Sequence, residues 1–291
     1  MIKKRMKQGF ILFLVLAMIS ILTIGVVSYN YWIRTKSVFA NNAVFDLKTS
    51  YLAKAGINYA FFLLQNDQEP SDNLNEDWAR IEPFTLGGGK VRVKITDESG
   101  KININRFKEN RTILCRLFDV LELESGKIDA IADWIDADNI PLPDGAENEY
   151  YISLKHPYSC KNAPLDTIGE LIMIKGMDRK ILDDEEKGLI NFLTMTSGNE
   201  ININTAPSKV LEAILNNRAL SERIISQREE KPFTNKTEIK DFLEPTKTDL
   251  FTCESNVFSL ESTGIIPPHY QKKIKAIIQK NPLKILYYKV E

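Results

Sequence analysis

Six carboxylates crowd the stretch DWIDADNIPLPDGAENE: Asp133, Asp136 and Asp138, followed by Asp144, Glu147 and Glu149. The helical pattern beginning near Lys127 puts the first three at a helix C-terminus, where they face the negative end of the helix dipole and one another. That crowding is unfavourable unless something neutralises it, and a hard cation does so. Calcium takes about 6–8 oxygen ligands at flexible geometry, which a loop this rich in acids can supply. The spacing is not that of an EF-hand, whose acids alternate and whose sixth position is glycine. Composition alone favours a solvated acidic loop. A second acidic run, Asp183 to Glu186, reads as the solvated start of a helix.

Other chemistry-bearing residues are scarce. The two histidines, His156 and His269, read as structural or surface residues. No nucleophile elbow, phosphate loop or zinc motif is present, so no catalytic residue is assigned and the chain is expected not to be an enzyme. Cys115, Cys160 and Cys253 are odd in number, so in an oxidising compartment at least one thiol stays unpaired or pairs between chains. A Cys115–Cys160 staple and three free, buried thiols fit the sequence equally well. The formal net charge of -1 argues against a dedicated polyanion binder. ELIMIKGM resembles part of a helix-hairpin-helix module, and a membrane-anchored DNA receptor is the rival reading. Residues 106–200, however, hold 11 Lys plus Arg against 19 Asp plus Glu. Because phosphate contacts are mainly electrostatic, no nucleic-acid partner is expected.

The elements that must position these residues begin with FILFLVLAMISILTIGVVSYNYWI. No charge occurs from Gln8 to Ile33, and the run exceeds the roughly 20 apolar residues that cross a bilayer as a helix. Lys3, Lys4, Arg5 and Lys7 precede it, which predicts a cytoplasmic N-terminus and a body on the other side. A cleavable secretory signal fits less well, since its apolar region is only ~7–15 residues long and ends in a small-x-small site. Beyond Arg34, the positions Val38, Val44, Leu47, Tyr51, Leu52, Ala55, Tyr59, Phe62 and Leu63 keep a spacing near 3.6 and predict a helix laid on a globular body by that stripe. One helix from Phe10 to about Gln65 results, on the order of 80 Å long at ~1.5 Å per residue.

Alternating Val91, Val93 and Ile95 behind Gly87 to Gly89, with Ile81, Phe84 and Leu86, predict a hairpin. Strands return only in 256–263, 270–280 and 283–290. Between them the pattern is helical and contains a repeat, ESGKININ at 98–105 and SGNEININT at 197–205. In each copy the isoleucines (Ile102 and Ile104, Ile201 and Ile203) share one face and plug a core, while the asparagines face the other way. A helix follows each copy, with Asn105 and Thr205 as expected caps and Pro207 in the first helical turn. The repeat is an entry device for two helical units and not a catalytic site.

The basic leader ending in Gly9, then Phe10 and a long apolar helix, resembles the type IV prepilin and pseudopilin class. In that class a prepilin peptidase cuts after the glycine and methylates the new first residue, which marks Gly9 and Phe10 as processing residues. The ordered set DESGKININ, DWIDAD, DGAENEYY, KNAPLDTIGELIMIKGM and ININTAPSKVL resembles the type II secretion system minor pseudopilin K family over nearly the whole chain. The resemblance implies an α+β fold: a pilin-like domain, with a long N-terminal transmembrane helix and an antiparallel sheet, interrupted by a large helical insertion of two SAM-like units. The expected divisions are a leader at 1–9, a membrane segment at 10–33, the first part of the pilin-like domain at 34–105, the insertion at 106–250 (units 106–196 and 197–250) and C-terminal strands at 251–291. It also implies a single-pass inner-membrane protein with a periplasmic body, capping the pseudopilus and helping to start its assembly with minor pseudopilins I and J. The other pseudopilins, the prepilin peptidase and the inner-membrane assembly platform are further implied partners. A minor pilin of a related type IV pilus is a second alternative. Family members carry calcium in the helical domain, so the resemblance makes Asp133, Asp136, Asp138, Asp144 and Glu147 the expected ligands.

One position departs from the wider class. Most pilin-class subunits carry a glutamate at the fifth mature residue, held to meet the N-terminal ammonium of a neighbour inside the membrane; here it is Leu14. An unpaired carboxylate in hydrocarbon costs on the order of ~3 kcal/mol. A subunit with nothing above it gains by lacking one, so Leu14 is assigned to assembly.

Overall fold

The computed structural model describes the backbone of residues 2–291 and the side chains from Phe10 onward except Thr246; the basic leader side chains lie outside the described residues. Helix α1 (Ile2–Asn66) is continuous, because no proline and only Gly9, Gly25 and Gly56 interrupt it. Its segment from Phe10 is long and apolar enough to cross a membrane and is unburied by the rest of the chain. Leu14 sits there with its side chain about half exposed.

The second half of α1 packs on a five-stranded sheet. β1 (Phe84–Leu86) and β2 (Gly89–Asp97) form the expected hairpin, pairing Leu86 with Gly89. Gly87 and Gly88 carry its tight turn at φ +55° and +80°, where side chains are disfavoured. After β2 the chain leaves the sheet and returns to it only at Val257, so the elements between belong to the insertion. β3 (Ile102–Asn103), α2 (Phe107–Val120), α3 (Gly126–Ile135), α4 (Asn148–Ile152), α5 (Arg179–Asp183) and β4 (Leu193–Thr194) make its first unit. β5 (Ile201–Asn202), α6 (Ser208–Leu215), α7 (Arg218–Glu230), α8 (Lys236–Phe242) and β6 (Phe251–Thr252) make the second. β7 (Val257–Ile266), β8 (Tyr270–Gln279) and β9 (Lys284–Val290) then complete the sheet, in the order β1-β2-β7-β8-β9, antiparallel throughout.

Two cores result. Under α1, Leu52, Ala53, Ile57, Ala60 and Leu64 meet Val91, Val93, Ile95, Phe258, Leu260, Ile274, Ala276 and Ile278. Burial of each large aliphatic side chain contributes about 1.5–3 kcal/mol. The helix approaches closely where its inward residues are small, at Ala53, Gly56 and Ala60. A Cβ on Gly56 would lie 2.1 Å from Ser262 Oγ, and one on Gly264 of β7 would lie 2.3 Å from the Thr49 carbonyl. The predicted stripe is therefore corrected. Val38, Val44, Leu47, Tyr51, Tyr59 and Phe62 are exposed, and of that stripe only Leu52 is fully buried. The second core fills the insertion, where α2 packs on α6.

The asparagines of the repeat are corrected as well. They do not face away from the core: Asn103, Asn202 and Asn204 are buried and Asn105 is half-buried. In each copy the first asparagine folds back to accept from the backbone N–H two residues on, Asn105 N at 3.0 Å and Asn204 N at 2.9 Å. The second clasps a distant peptide by both ends. Asn105 accepts from Leu165 N (2.7 Å) and donates to Leu165 O (2.9 Å). Asn204 does the same to Phe233 N (2.9 Å) and O (2.8 Å). Each strand also adds a short parallel pair, β3 with β4 and β5 with β6. Asn103, not Asn105, caps the turn before α2. Pro207 is the residue preceding α6 and so lies just outside the first turn, and Thr205 bonds Asp97 instead of capping.

Candidate functional site

Three carboxylates of the acidic loop converge. Asp136 ends α3, its N–H donating to Ala132 O at 2.9 Å. It accepts from Asp138 N at 3.3 Å, and Asp138 accepts from Ile140 N at 2.8 Å. Asn162 braces the turn by donating to Asp138 O at 2.6 Å. Glu147 enters from the start of α4, only 4% exposed, and neither of its carboxylate oxygens has a hydrogen-bond partner. Asp136, Asp138 and Glu147 each offer an oxygen within 4.8 Å of the others. Oxygens bound to one calcium at about 2.3–2.6 Å lie no more than ~5 Å apart, so the trio fits such an ion.

Asp133 and Asp144 take different places. Asp133 is fully buried and accepts from Leu142 N at 3.1 and 3.3 Å, which pulls the loop over the end of α3. Gly145 makes room for it, since a Cβ there would stand 1.9 Å from Asp133 Oδ2. Asp144 points outward beside Gly126, and its carbonyl accepts from Lys175 Nζ at 3.2 Å. The electrostatics match the geometry. Burial first, then Asp133, Asp136 and Asp138, pushes the Glu147 carboxyl above its usual range. Burial likewise raises Asp133, and the Leu142 amide partly offsets it.

The remaining candidates are dispersed. Asp183 ends α5 and Asp184 follows it, accepting from the amides of Glu186 and Lys187, so that run closes a helix instead of starting one. His156 and His269 are exposed. All three cysteines are free thiols; Cys253 is buried and Cys115 and Cys160 are half-buried. Burial pushes the Cys160 thiol up to about 11 and that of Cys253 up to about 12.

A second polar centre, missed in the sequence, joins the sheet to the insertion. Asp97, at the end of β2, accepts from Ser99 N (2.7 Å), Thr205 Oγ1 (2.5 Å), Ser255 Oγ (2.5 Å) and Asn202 Nδ2 (3.1 Å). Burial pushes its carboxyl up to about 6 despite these donors. Beside it Asp72 accepts from Ser255 N at 2.7 Å, and Lys280 bridges Asp72 and Asp67 at 3.1 and 2.7 Å. The signal available in the sequence was the repeat itself: Asn202 and Thr205 belong to it, Asn202 Nδ2 donating to Asp72 O, Asp97 Oδ2 and Ser255 Oγ and Thr205 to Asp97.

A third surface is the outward side of α1. Val44, Leu47, Tyr51 and Phe62 lie opposite the buried Ala53, Gly56 and Ala60, so this half of the helix is apolar on both sides. Exposed Lys48, Lys54 and Asn58 lie among these side chains, so the outward side is an apolar stripe interrupted by polar residues.

Comparison with known proteins agrees with this architecture. Two family models described as type II secretion system (T2SS), protein K match residues 98–187 and 201–252, one per helical unit. A type II secretion system protein K of Pseudomonas aeruginosa is 31% identical over 195 residues, covering 62% of this chain and 57% of the relative. One of Klebsiella pneumoniae is 30% identical over 152 residues, covering 46% and 47%. The matched regions thus span about half the length of these relatives. A chain in the crystal structure of the GspK-GspI-GspJ complex from enterotoxigenic Escherichia coli superposes with a TM-score of 0.64 at 20% identity, over 89% of this chain and 98% of that one. At that identity the likeness speaks for the fold.

Proposed function

We propose that this chain belongs to the type II secretion system protein K family, whose models match residues 98–187 and 201–252, and that it is a minor pseudopilin, a non-enzymatic subunit at the tip of the pseudopilus. The observation that carries the reading is α1: one half fit for a bilayer, the other apolar both toward its own sheet and away from it. Such a helix holds the subunit in the inner membrane and presents its outward side to neighbouring helices, those of minor pseudopilins I and J. Leu14 places no carboxylate in hydrocarbon, as suits a subunit with none above it. A prepilin peptidase cuts between Gly9 and Phe10 and methylates Phe10, and the inner-membrane assembly platform receives the product. The body then stands in the periplasm, where the insertion, too bulky for a tightly wound filament, finds room at the end.

Calcium belongs to this reading. Asp136, Asp138 and Glu147 would hold it, Asp133 fixes the loop that brings them together, and Asp144 points outward. The ion would supply charge neutralisation where the end of α3 meets the start of α4.

Two measurements test the proposal. The intact mass of protein from native membranes is expected to lack residues 1–9 and carry one added methyl group; an uncut chain removes the pseudopilin reading. Immunogold labelling of isolated pseudopili is expected at one end only, and labelling along their length refutes the tip placement.

A further inference from the structure

The sheet is wider than the helix that covers it. α1 packs across β2, β7 and β8, and the segment around Trp78, Ile81 and Phe84 closes the β1 side. β9 is left uncovered. Its register places Val290 opposite Ile274, Tyr288 opposite Ala276 and Ile285 opposite Ile278, and those three partners are buried on the helix-bearing face. Val290, Tyr288 and Ile285 therefore belong to the same apolar face, yet they are 47%, 45% and 51% exposed. A register shift at Ile277/Ile278 inserts Leu286, also exposed, beside them. An edge strand that meets only water on this face would alternate with polar residues. Here the sheet's core-forming pattern runs one strand beyond its own helix.

The direction of the strip identifies what lies on it. Tyr270, at the start of β8, stacks on Phe45 and donates to Asn42 Oδ1, and Asp46 pairs with Lys272 at 3.0 Å, so this end of β8 is the membrane-proximal one. Val290 and Glu291 lie at that end, Glu291 pairing with Lys273, and Ile285 lies at the far end. The strip thus runs alongside α1 from the membrane outward. Adjacent strands are ~4.8 Å apart and a helix is ~10 Å across, so the space over β9 accepts one helix beside α1. The four side chains expose roughly 300–400 Å², short of the ~800 Å² per partner of a stable interface, so the occupant must also rest on α1. Leu47, next to the Asp46 that pairs with Lys272 of β8, is exposed on the adjoining flank of α1 and supplies that continuation.

We propose, resting on the pseudopilin reading above, that β9 with the adjoining flank of α1 is the seat for the spine helix of a second pilin-class subunit, which rises from the same membrane and lies along Val290, Tyr288 and Ile285. The test places a photo-crosslinking residue, p-benzoylphenylalanine, at Tyr288 and separately at Leu47 in the full chain, in cells with a complete secretion system, and identifies the joined peptides by mass spectrometry. The expected product from Tyr288 is a peptide from the N-terminal helix of another pseudopilin. No pseudopilin product from Tyr288, alongside one from Leu47, overturns the β9 seat and leaves the pseudopilin reading standing; none from either site overturns both. A product from Tyr288 carrying a partner's strand instead of its helix overturns the proposal in favour of edge pairing. As a second readout, Tyr288→Lys with Val290→Lys is expected to cut recovery of the partner on purification at least tenfold at unchanged melting temperature, because both side chains are exposed; undiminished recovery refutes the seat.

Discussion

Replacing Glu147 by glutamine is expected to stabilise the protein without calcium and destabilise it with calcium. Without the ion, a buried carboxylate with no donor on either oxygen faces Asp136 and Asp138. A buried group left unsatisfied costs about 1–3 kcal/mol, and neutral glutamine relieves the charged part of this, about 1–2 kcal/mol. For a body of this size that is a rise of roughly 2–8 °C in melting temperature. With calcium at 100 times its dissociation constant, binding to the native state alone adds about 2.7 kcal/mol. The variant, one carboxylate short, forfeits most of that gain and melts below the parent by the equivalent of about 1 kcal/mol. Thermal unfolding of the full chain in detergent, in chelator and in excess calcium, reads both values. The sign of the difference must reverse; a variant shifted the same way in both conditions refutes the assignment of Glu147 as a ligand.

Gly145→Ala is expected to lower the melting temperature and weaken calcium binding together, because the new methyl occupies the place of Asp133 Oδ2; unchanged calcium titration by calorimetry refutes the positioning role. Asn204→Ala leaves Phe233 N and O buried without partners and is expected to cost about 2–4 kcal/mol in chemical denaturation, whereas Asn105→Ala, half-buried and open to water, costs about 1 kcal/mol. Gly56→Ala, which in an exposed helix would stabilise by about 1 kcal/mol, is expected to destabilise by about 1–3 kcal/mol because Ser262 and Val91 leave no room. Stability is expected to fall as pH rises from about 4 to about 6, because native Asp97, raised to about 6, retains a proton that the unfolded chain releases near 3.8. Burial carries Glu76 to about 7 and extends the same fall. Asp97→Asn flattens the lower part of that profile; an unaltered slope refutes the assignment.

Much of this architecture was legible from spacing. Val91, Val93 and Ile95 alternate because one face of β2 is buried, and the two glycines at φ > 0 allow only a tight turn. The spine was legible as a helix but not in its orientation. With apolar residues at 52, 57 and 64 and again at 44, 47, 51 and 62, periodicity does not distinguish the side packed on the sheet from the side left outward. The small residues at 53, 56 and 60 decide it, since only they allow the strands so close. The asparagines failed for another reason: in a two-residue strand, alternation says little, and the peptides they clasp lie 60 and 29 residues away. The acidic loop was legible as a cluster of carboxylates but not in the direction each one takes. Two prolines and Gly145 then turn Asp144 outward and Glu147 inward, a reversal that composition does not record.

The insertion leaves from β2 and returns into β7, adjacent strands whose pairing runs unbroken from Lys90 with Ile265 to Asp97 with Phe258. For an unfolded chain, closing a loop of about 160 residues to begin that pairing costs roughly 4–5 kcal/mol in chain entropy. Once the insertion is folded its two ends stand together, Glu98 N donating to Val257 O at 2.9 Å. The order of events in time follows: the domain that interrupts the sheet forms first and delivers the later strands to the earlier ones. Pulse-labelled hydrogen exchange is expected to find the amides of α2 and α6 protected before those of β2 and β7, and the reverse order would show that the sheet closes unaided.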